Sequence, residues 1–184
     1  MTQVTVKHLW KEYGNQIVLE NVNLQIDDHE FVTIVGASGC GKTTFLKMLL
    51  GIETPSRGQF LIDGTQLPGE PGPDRGIVFQ RYSLFPHLTV LDNLLMGLEL
   101  RGAPLLGRLF GALDPGITGD MHRLILKLWN THKMTIFMVT HDLKESFELG
   151  TRLLVFDKVR TDPQAPEAYG ATITYNIPLN GHRT

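Results

Sequence analysis

The chain has 184 residues, with 17 Lys and Arg against 19 Asp and Glu, a formal net charge of −2 and a sequence pI of about 6.4. That length holds one domain with a full core but not two, and near-neutral charge with scattered basic residues argues against nucleic acid or an anionic membrane surface as the main partner. The most apolar stretch, residues 90–98, is interrupted by Asp92 and Asn93 and is too short to span a bilayer; residues 1–10 lack a signal-peptide core. Cys40 is the single cysteine, so no intramolecular disulfide forms and a reducing compartment fits. A soluble protein that is not exported is expected.

Residues 3–27 alternate apolar and polar positions around the turn Tyr13-Gly14-Asn15, with Val4, Val6 and Leu9 before it and Val18, Leu19, Val22 and Leu24 after it. This pattern predicts an antiparallel β layer. Phe31-Val32-Thr33-Ile34-Val35 reads as a buried strand, and Thr44-Phe45-Leu46-Lys47-Met48-Leu49-Leu50 as a helix that Gly51 stops. Between them lies Gly36-Ala37-Ser38-Gly39-Cys40-Gly41-Lys42-Thr43, which fits GxxxxGK followed by Ser or Thr. Strand, loop and helix come in the order a nucleotide-phosphate site requires. The glycines let backbone N–H groups turn inward around phosphate oxygens, Lys42 reaches the β and γ phosphates, and Thr43 offers its hydroxyl to Mg²⁺.

Gln59-Phe60-Leu61-Ile62 ends at Asp63-Gly64, a strong turn signal, and a Pro- and Gly-rich loop over residues 68–74 leads into the apolar run Gly76-Ile77-Val78-Phe79, closed by Gln80. Thr89 and Asp92 resemble a capping box, and Val90, Leu91, Leu94, Leu95, Leu98 and Leu100 recur at helical spacing until Gly102. Helices are further predicted over residues 121–129 and 142–149, and strands over residues 135–139, 153–156 and, at an edge, 171–177. Strands alternating with helices argue for a largely parallel α/β sheet. His8, His87, His122 and His132 show no metal-ligand spacing and are expected at the surface. Cys40 is expected as a small residue in a tight loop, open to thiol reagents.

Five segments taken together resemble the ATP-binding subunit of an ABC transporter. They are residues 36–44, the run ending Ile77-Val78-Phe79-Gln80, Leu84-Phe85-Pro86-His87-Leu88-Thr89-Val90, Phe110-Gly111-Ala112-Leu113-Asp114 and Val139-Thr140-His141-Asp142. The resemblance covers nearly the whole chain. It implies a P-loop NTPase of the ABC ATPase type, α/β, with an N-terminal antiparallel β layer and a truncated helical subdomain. One ATP-binding domain spans residues 1–184, with a remnant of the helical subdomain at 88–109 and a C-terminal tail at 160–184. ATP and Mg²⁺ are the implied cofactors. Tyr13 would stack on adenine; Gly36, Ala37, Ser38, Gly39, Cys40, Gly41, Lys42, Thr43 and Thr44 would hold phosphate. Thr43 and Gln80 would serve Mg²⁺, Gln80 and His141 catalysis, and Asp114 a dimer contact.

Implied partners are an integral-membrane permease, a second ATP-binding subunit and, indirectly, a binding protein on the outer side, but no nucleic acid. The implied location is the inner face of the plasma membrane. Phe110-Gly111-Ala112-Leu113-Asp114 looks like the nitrate, sulfonate and taurine importer branch, and the tail resembles members associated with urea or amide use.

Two features of that family have no match here. The glycine-rich signature LSGGQ and the apolar strand ending in Asp-Glu are absent, and residues 100–109 run directly into Phe110. The pattern resembles an internal deletion whose downstream edge lies close to Phe110. In the family the aspartate orders the Mg²⁺ shell and the glutamate polarises the attacking water; Asp157 and Asp114 are the weak substitutes here. Three readings follow: an importer ATPase subunit with impaired hydrolysis, a non-hydrolysing nucleotide-binding module that docks on a permease, and the non-functional product of an internally deleted reading frame.

Overall fold

A computed structural model describes residues 3–66, 118–165 and 167–179. The expectations for residues 76–80, 84–102 and 110–114, including Gln80, Asp114, His87 and the 88–109 subdomain remnant, lie outside the described residues.

β1 (Val4–Tyr13) and β2 (Gln16–Ile26) form the expected antiparallel pair around Gly14-Asn15. Gly14 turns at φ 58, a left-handed conformation that glycine adopts without steric cost. β4 (Arg57–Ile62) pairs antiparallel with β1, and β5 (Thr65–Gln66) returns after a turn in which Asp63 and Gly64 both have positive φ, giving the order β2-β1-β4-β5. Asp63-Gly64 suits that hairpin because both central positions must be left-handed.

The second sheet has the order β6-β3-β7-β8, built from β3 (Phe31–Gly36), β6 (Ile136–Val139), β7 (Arg152–Asp157) and β8 (Thr172–Pro178). β3 runs parallel to both β6 and β7, while β8 adds antiparallel to β7. The parallel core therefore carries an antiparallel edge strand, as mixed sheets often do. Residues 167–171 tie this sheet to the first. Ile17 N–H donates to the Glu167 carbonyl at 3.0 Å, and Ala171 exchanges backbone hydrogen bonds with Val18 and Glu20 at 2.9 Å each.

Helix α1 (Lys42–Leu49) lies between the sheets. Its Phe45 ring sits 5.3 Å from Phe60 of β4 and 5.2 Å from Phe156 of β7, so one fully buried side chain joins both layers. Aromatic pairs at such spacing add to the stabilisation from area burial alone. On the other face of the second sheet, α2 (Thr118–His132) and α3 (Leu143–Leu149) cover Phe31, with Trp129 and Leu149 buried against it. α2 is longer at both ends than its periodicity predicts. Among the described residues no helix is long and apolar enough to cross a membrane.

Candidate functional site

The loop between β3 and α1 is shaped by three glycines with positive φ: Gly36 at 149, Gly39 at 79 and Gly41 at 81. At Gly36 a Cβ would meet the Phe156 carbonyl oxygen at 2.2 Å and Cys40 Sγ at 2.9 Å, so no side chain fits. Gly41 is the N-cap of α1, yet no side chain caps the helix and its first turn carries no acidic residue. A helix N-terminus left uncapped by side chains presents its N–H groups and positive dipole end to an incoming anion. Helix α1 begins at Lys42, two residues earlier than its apolar pattern suggests, because left-handed Gly41 sets the cap.

Lys42 reinforces that polarity. The residue is buried, 6% exposed, and its ammonium donates to the carbonyls of Gly36 at 2.8 Å and Ala37 at 2.7 Å. Cys40 Sγ lies 3.5 Å from the same nitrogen. The positive charge is thus held inside the loop by neutral acceptors, with no carboxylate among its partners in the described residues to neutralise it. A phosphate is the chemical complement of that arrangement. Ala37, Ser38, Gly39 and Thr43 are exposed, so the rim of the loop is open to a ligand. Cys40 is buried, as a tight-fitting residue should be, and at 6% exposed it lacks the openness to thiol reagents expected from its place in the loop.

Tyr13 is 45% exposed at the end of β1, past a bulge between Lys11 and Glu12 that re-aims the strand end. Its hydroxyl donates to a Glu53 carboxylate oxygen, and the Lys11 ammonium lies 4.7 Å from the ring centroid. Burial first, then the hydrogen bond to Glu53 and its charge, push the phenol pKa up to about 12, while a hydrogen bond with the Thr44 side chain opposes the rise. The Thr44 contact places Tyr13 beside the first turn of α1. A cleft of about 640 Å³ opens at Tyr13, bounded also by Asn15, Gln16, Lys158 and Glu167. The sequence pattern did not single out Glu53, because 40 residues separate it from Tyr13.

His141 follows β6 at the same sheet edge. Val139 pairs with Ile34, so His141, two residues on, stands level in register with Gly36. Thr140 N–H donates to the Ile34 carbonyl at 3.1 Å, and Asp142 caps α3 by accepting from Lys144 N–H at 2.8 Å. Glu145 accepts from the Thr140 hydroxyl and meets His122 Nε2 at 3.1 Å. His122 is therefore not a bare surface residue: it is half-buried between Glu145 and Glu148. Asp157, at the end of β7, accepts from Lys158 N–H at 2.8 Å. No cluster of three or more His, Cys, Asp or Glu suited to a metal occurs among the described residues.

The loop geometry sits in a chain whose residues 19–154 match the ABC transporter family model. The chain belongs to the ABC transporter ATP-binding family. It is 31% identical to a nitrate import ATP-binding protein of Synechocystis, the match covering 90% of this chain and 78% of that protein. It is 30% identical to an aliphatic sulfonates import ATP-binding protein of Bacillus anthracis, covering 81% and 77%. A bicarbonate transport ATP-binding protein of Synechocystis is 30% identical over 235 aligned positions, covering 98% and 82%. Among solved structures, a dimeric bacterial ABC transporter cassette superposes with a TM-score of 0.69 at 24% identity, covering 97% of this chain and 99% of that one. The same fold is shared with a post-hydrolysis cassette bound to ADP and Pi, TM-score 0.65 at 24% identity, over 97% and 99%. The P-loop α/β fold expected from the sequence is thereby established.

Proposed function

We propose that this chain is the energy-coupling ATP-binding subunit of an ABC importer, taking MgATP at residues 36–44 with hydrolysis impaired. The observation that carries the binding half is the Lys42 ammonium, held among the described residues by the Gly36 and Ala37 carbonyls and Cys40 at the uncapped start of α1. Thr43, exposed on the first turn, would give its hydroxyl to Mg²⁺ together with Gln80, while Tyr13 would carry the adenine and His141 would face the γ phosphate.

The impaired half rests on sequence. Asp-Glu occurs nowhere in the chain and no LSGGQ-like run is present. An alignment of 235 positions with the bicarbonate relative exceeds the 184 residues here, which supports an internal deletion. Asp157 is a poor substitute, since among the described residues it joins no cluster of groups that could hold a metal. A homodimer of this chain would lack the signature that closes over each ATP, so turnover would require a complete second subunit, with Asp114 at the dimer contact. The importer relatives point to small anions such as nitrate or sulfonates as cargo, with residues 80–89 meeting a membrane permease from the cytoplasmic side.

The test pairs calorimetric MgATP binding with phosphate release on the same sample. Binding is expected with turnover slower by at least about a thousandfold than a complete cassette, since positioned metal and base supply most of the acceleration. Turnover at an ordinary ATPase rate by the isolated chain would refute the impaired-hydrolysis half.

A further inference from the structure

Around Tyr13 the described side chains form one connected cluster. The Tyr13 hydroxyl donates to Glu53. Glu53 also pairs with Lys11 at 3.4 Å and Lys47 at 3.6 Å. Lys11 in turn donates to the Thr54 carbonyl at 2.9 Å and lies over the Tyr13 ring. Lys47 belongs to α1, and the Glu53 N–H returns to the Lys47 carbonyl at 3.3 Å. Glu53 is therefore the node joining the end of β1 to the helix whose other end forms the phosphate loop.

A flat ring gains stacking energy only when its plane and distance are fixed, and a half-exposed tyrosine on a strand end would otherwise rotate about χ1 and χ2. Here three constraints act on one ring. Its hydroxyl is anchored by Glu53, its neighbour Thr44 comes from α1, and one face lies beneath the Lys11 ammonium. Tyr13 remains 45% exposed beside the cleft, which leaves ring surface for a base. The tripod also ties the ring to the same helix that receives the phosphates, so base and phosphate subsites keep one spacing.

From this geometry we infer that Glu53 is a positioning residue for nucleotide binding, which acts through the Tyr13 hydroxyl to hold the ring as a platform for the base. The inference rests on the nucleotide-binding reading above and adds to it a residue that never touches the ligand. The burden on Glu53 is specific: it accepts a hydrogen bond, so an amide can replace its acceptor and a thioether cannot.

The experiment measures Mg-ATP and Mg-tripolyphosphate affinities by calorimetry for the unsubstituted chain, Glu53→Met, Glu53→Gln, Tyr13→Phe and the Glu53→Met/Tyr13→Phe pair. Tripolyphosphate has no base, so it reports the phosphate loop alone. Glu53→Met is expected to weaken ATP by about tenfold, the scale of a lost aromatic stacking geometry, with tripolyphosphate unchanged within about twofold. Glu53→Gln restores most of the ATP affinity. Tyr13→Phe reproduces the loss even where Glu53→Met folds poorly, and the pair is no weaker than either single change, as shared action requires. Equal losses for both ligands, full additivity, or ATP affinity unmoved by Glu53→Met would overturn the inference while the nucleotide reading stands. An unsubstituted chain that binds neither ligand would remove both.

Discussion

Arg152 grips Glu30 with two N–H donors, Nε at 2.5 Å and Nη2 at 2.8 Å, across 122 residues of chain. Glu30 immediately precedes β3 and Arg152 opens β7, so the pair pins the two parallel strands at the end opposite the phosphate loop. Hydrogen bonding to Glu30 raises the Arg152 guanidinium pKa above its usual value despite partial burial. Removing one partner leaves the other charge with little water, since Glu30 is only 4% exposed. Arg152→Ala, which strands the buried Glu30 carboxylate, is expected to lower unfolding free energy by about 3 kcal/mol, read from urea denaturation. A loss below about 1 kcal/mol would mean that the pair is effectively solvated.

Gly36 is where strand geometry and ligand geometry meet. Its φ of 149 and the Phe156 carbonyl 2.2 Å from a would-be Cβ leave no room for alanine. The clash is with backbone, so a rotamer change cannot relieve it. Gly36→Ala is expected to cost about 3 kcal/mol or more and to abolish ATP binding, whereas Gly39→Ala, with open space around it, carries only the positive-φ penalty. Denaturant melts of the two variants compare these directly.

The Tyr13 phenol sets an alkaline limit. Its folded pKa is raised from 10.0 to about 12, burial leading and Glu53 following. The folded state holds the proton longer than the unfolded chain, so the associated stability is intact below pH 10 and is lost as pH rises from 10 toward 12. A phenolate component that forms only toward pH 12 is expected in an absorbance titration. Tyr13→Phe removes that late component, and its persistence would contradict the assignment.

Asp142 caps α3 through the Lys144 N–H, directly after His141. Its loss to alanine is expected to cost about 1 kcal/mol in thermal or urea unfolding, the usual scale for an N-cap carboxylate. A neutral result would mean that water caps the helix equally well.

The hairpin at Gly14-Asn15, the turn at Asp63-Gly64 and the β3-loop-α1 unit were legible because each depends on local backbone chemistry or a short apolar run. The GxxxxGKT spacing named the loop, but the parking of Lys42 on the Gly36 and Ala37 carbonyls depends on how the loop folds back over its own helix start. Phe45 read only as one apolar residue of a helix. That it joins two sheets depends on long-range packing. Glu53 and the Glu30–Arg152 pair escaped detection for the same reason, as charged residues far apart in sequence carry no periodic signal. His122 looked like a surface histidine because nothing in α2 announces the carboxylates that α3 brings to it.

The central claim, that residues 36–44 bind nucleotide phosphate in a folded chain, is tested most directly by thermal unfolding with and without Mg-ATP, beside Lys42→Ala. A ligand bound only by the folded state raises the apparent stability, by about 2.7 kcal/mol at a hundredfold excess over Kd. The account predicts one cooperative transition that Mg-ATP shifts upward, and a Lys42→Ala chain that melts cooperatively yet does not respond. A cooperative transition that ignores Mg-ATP in the unsubstituted chain, or the absence of any cooperative transition, would contradict it.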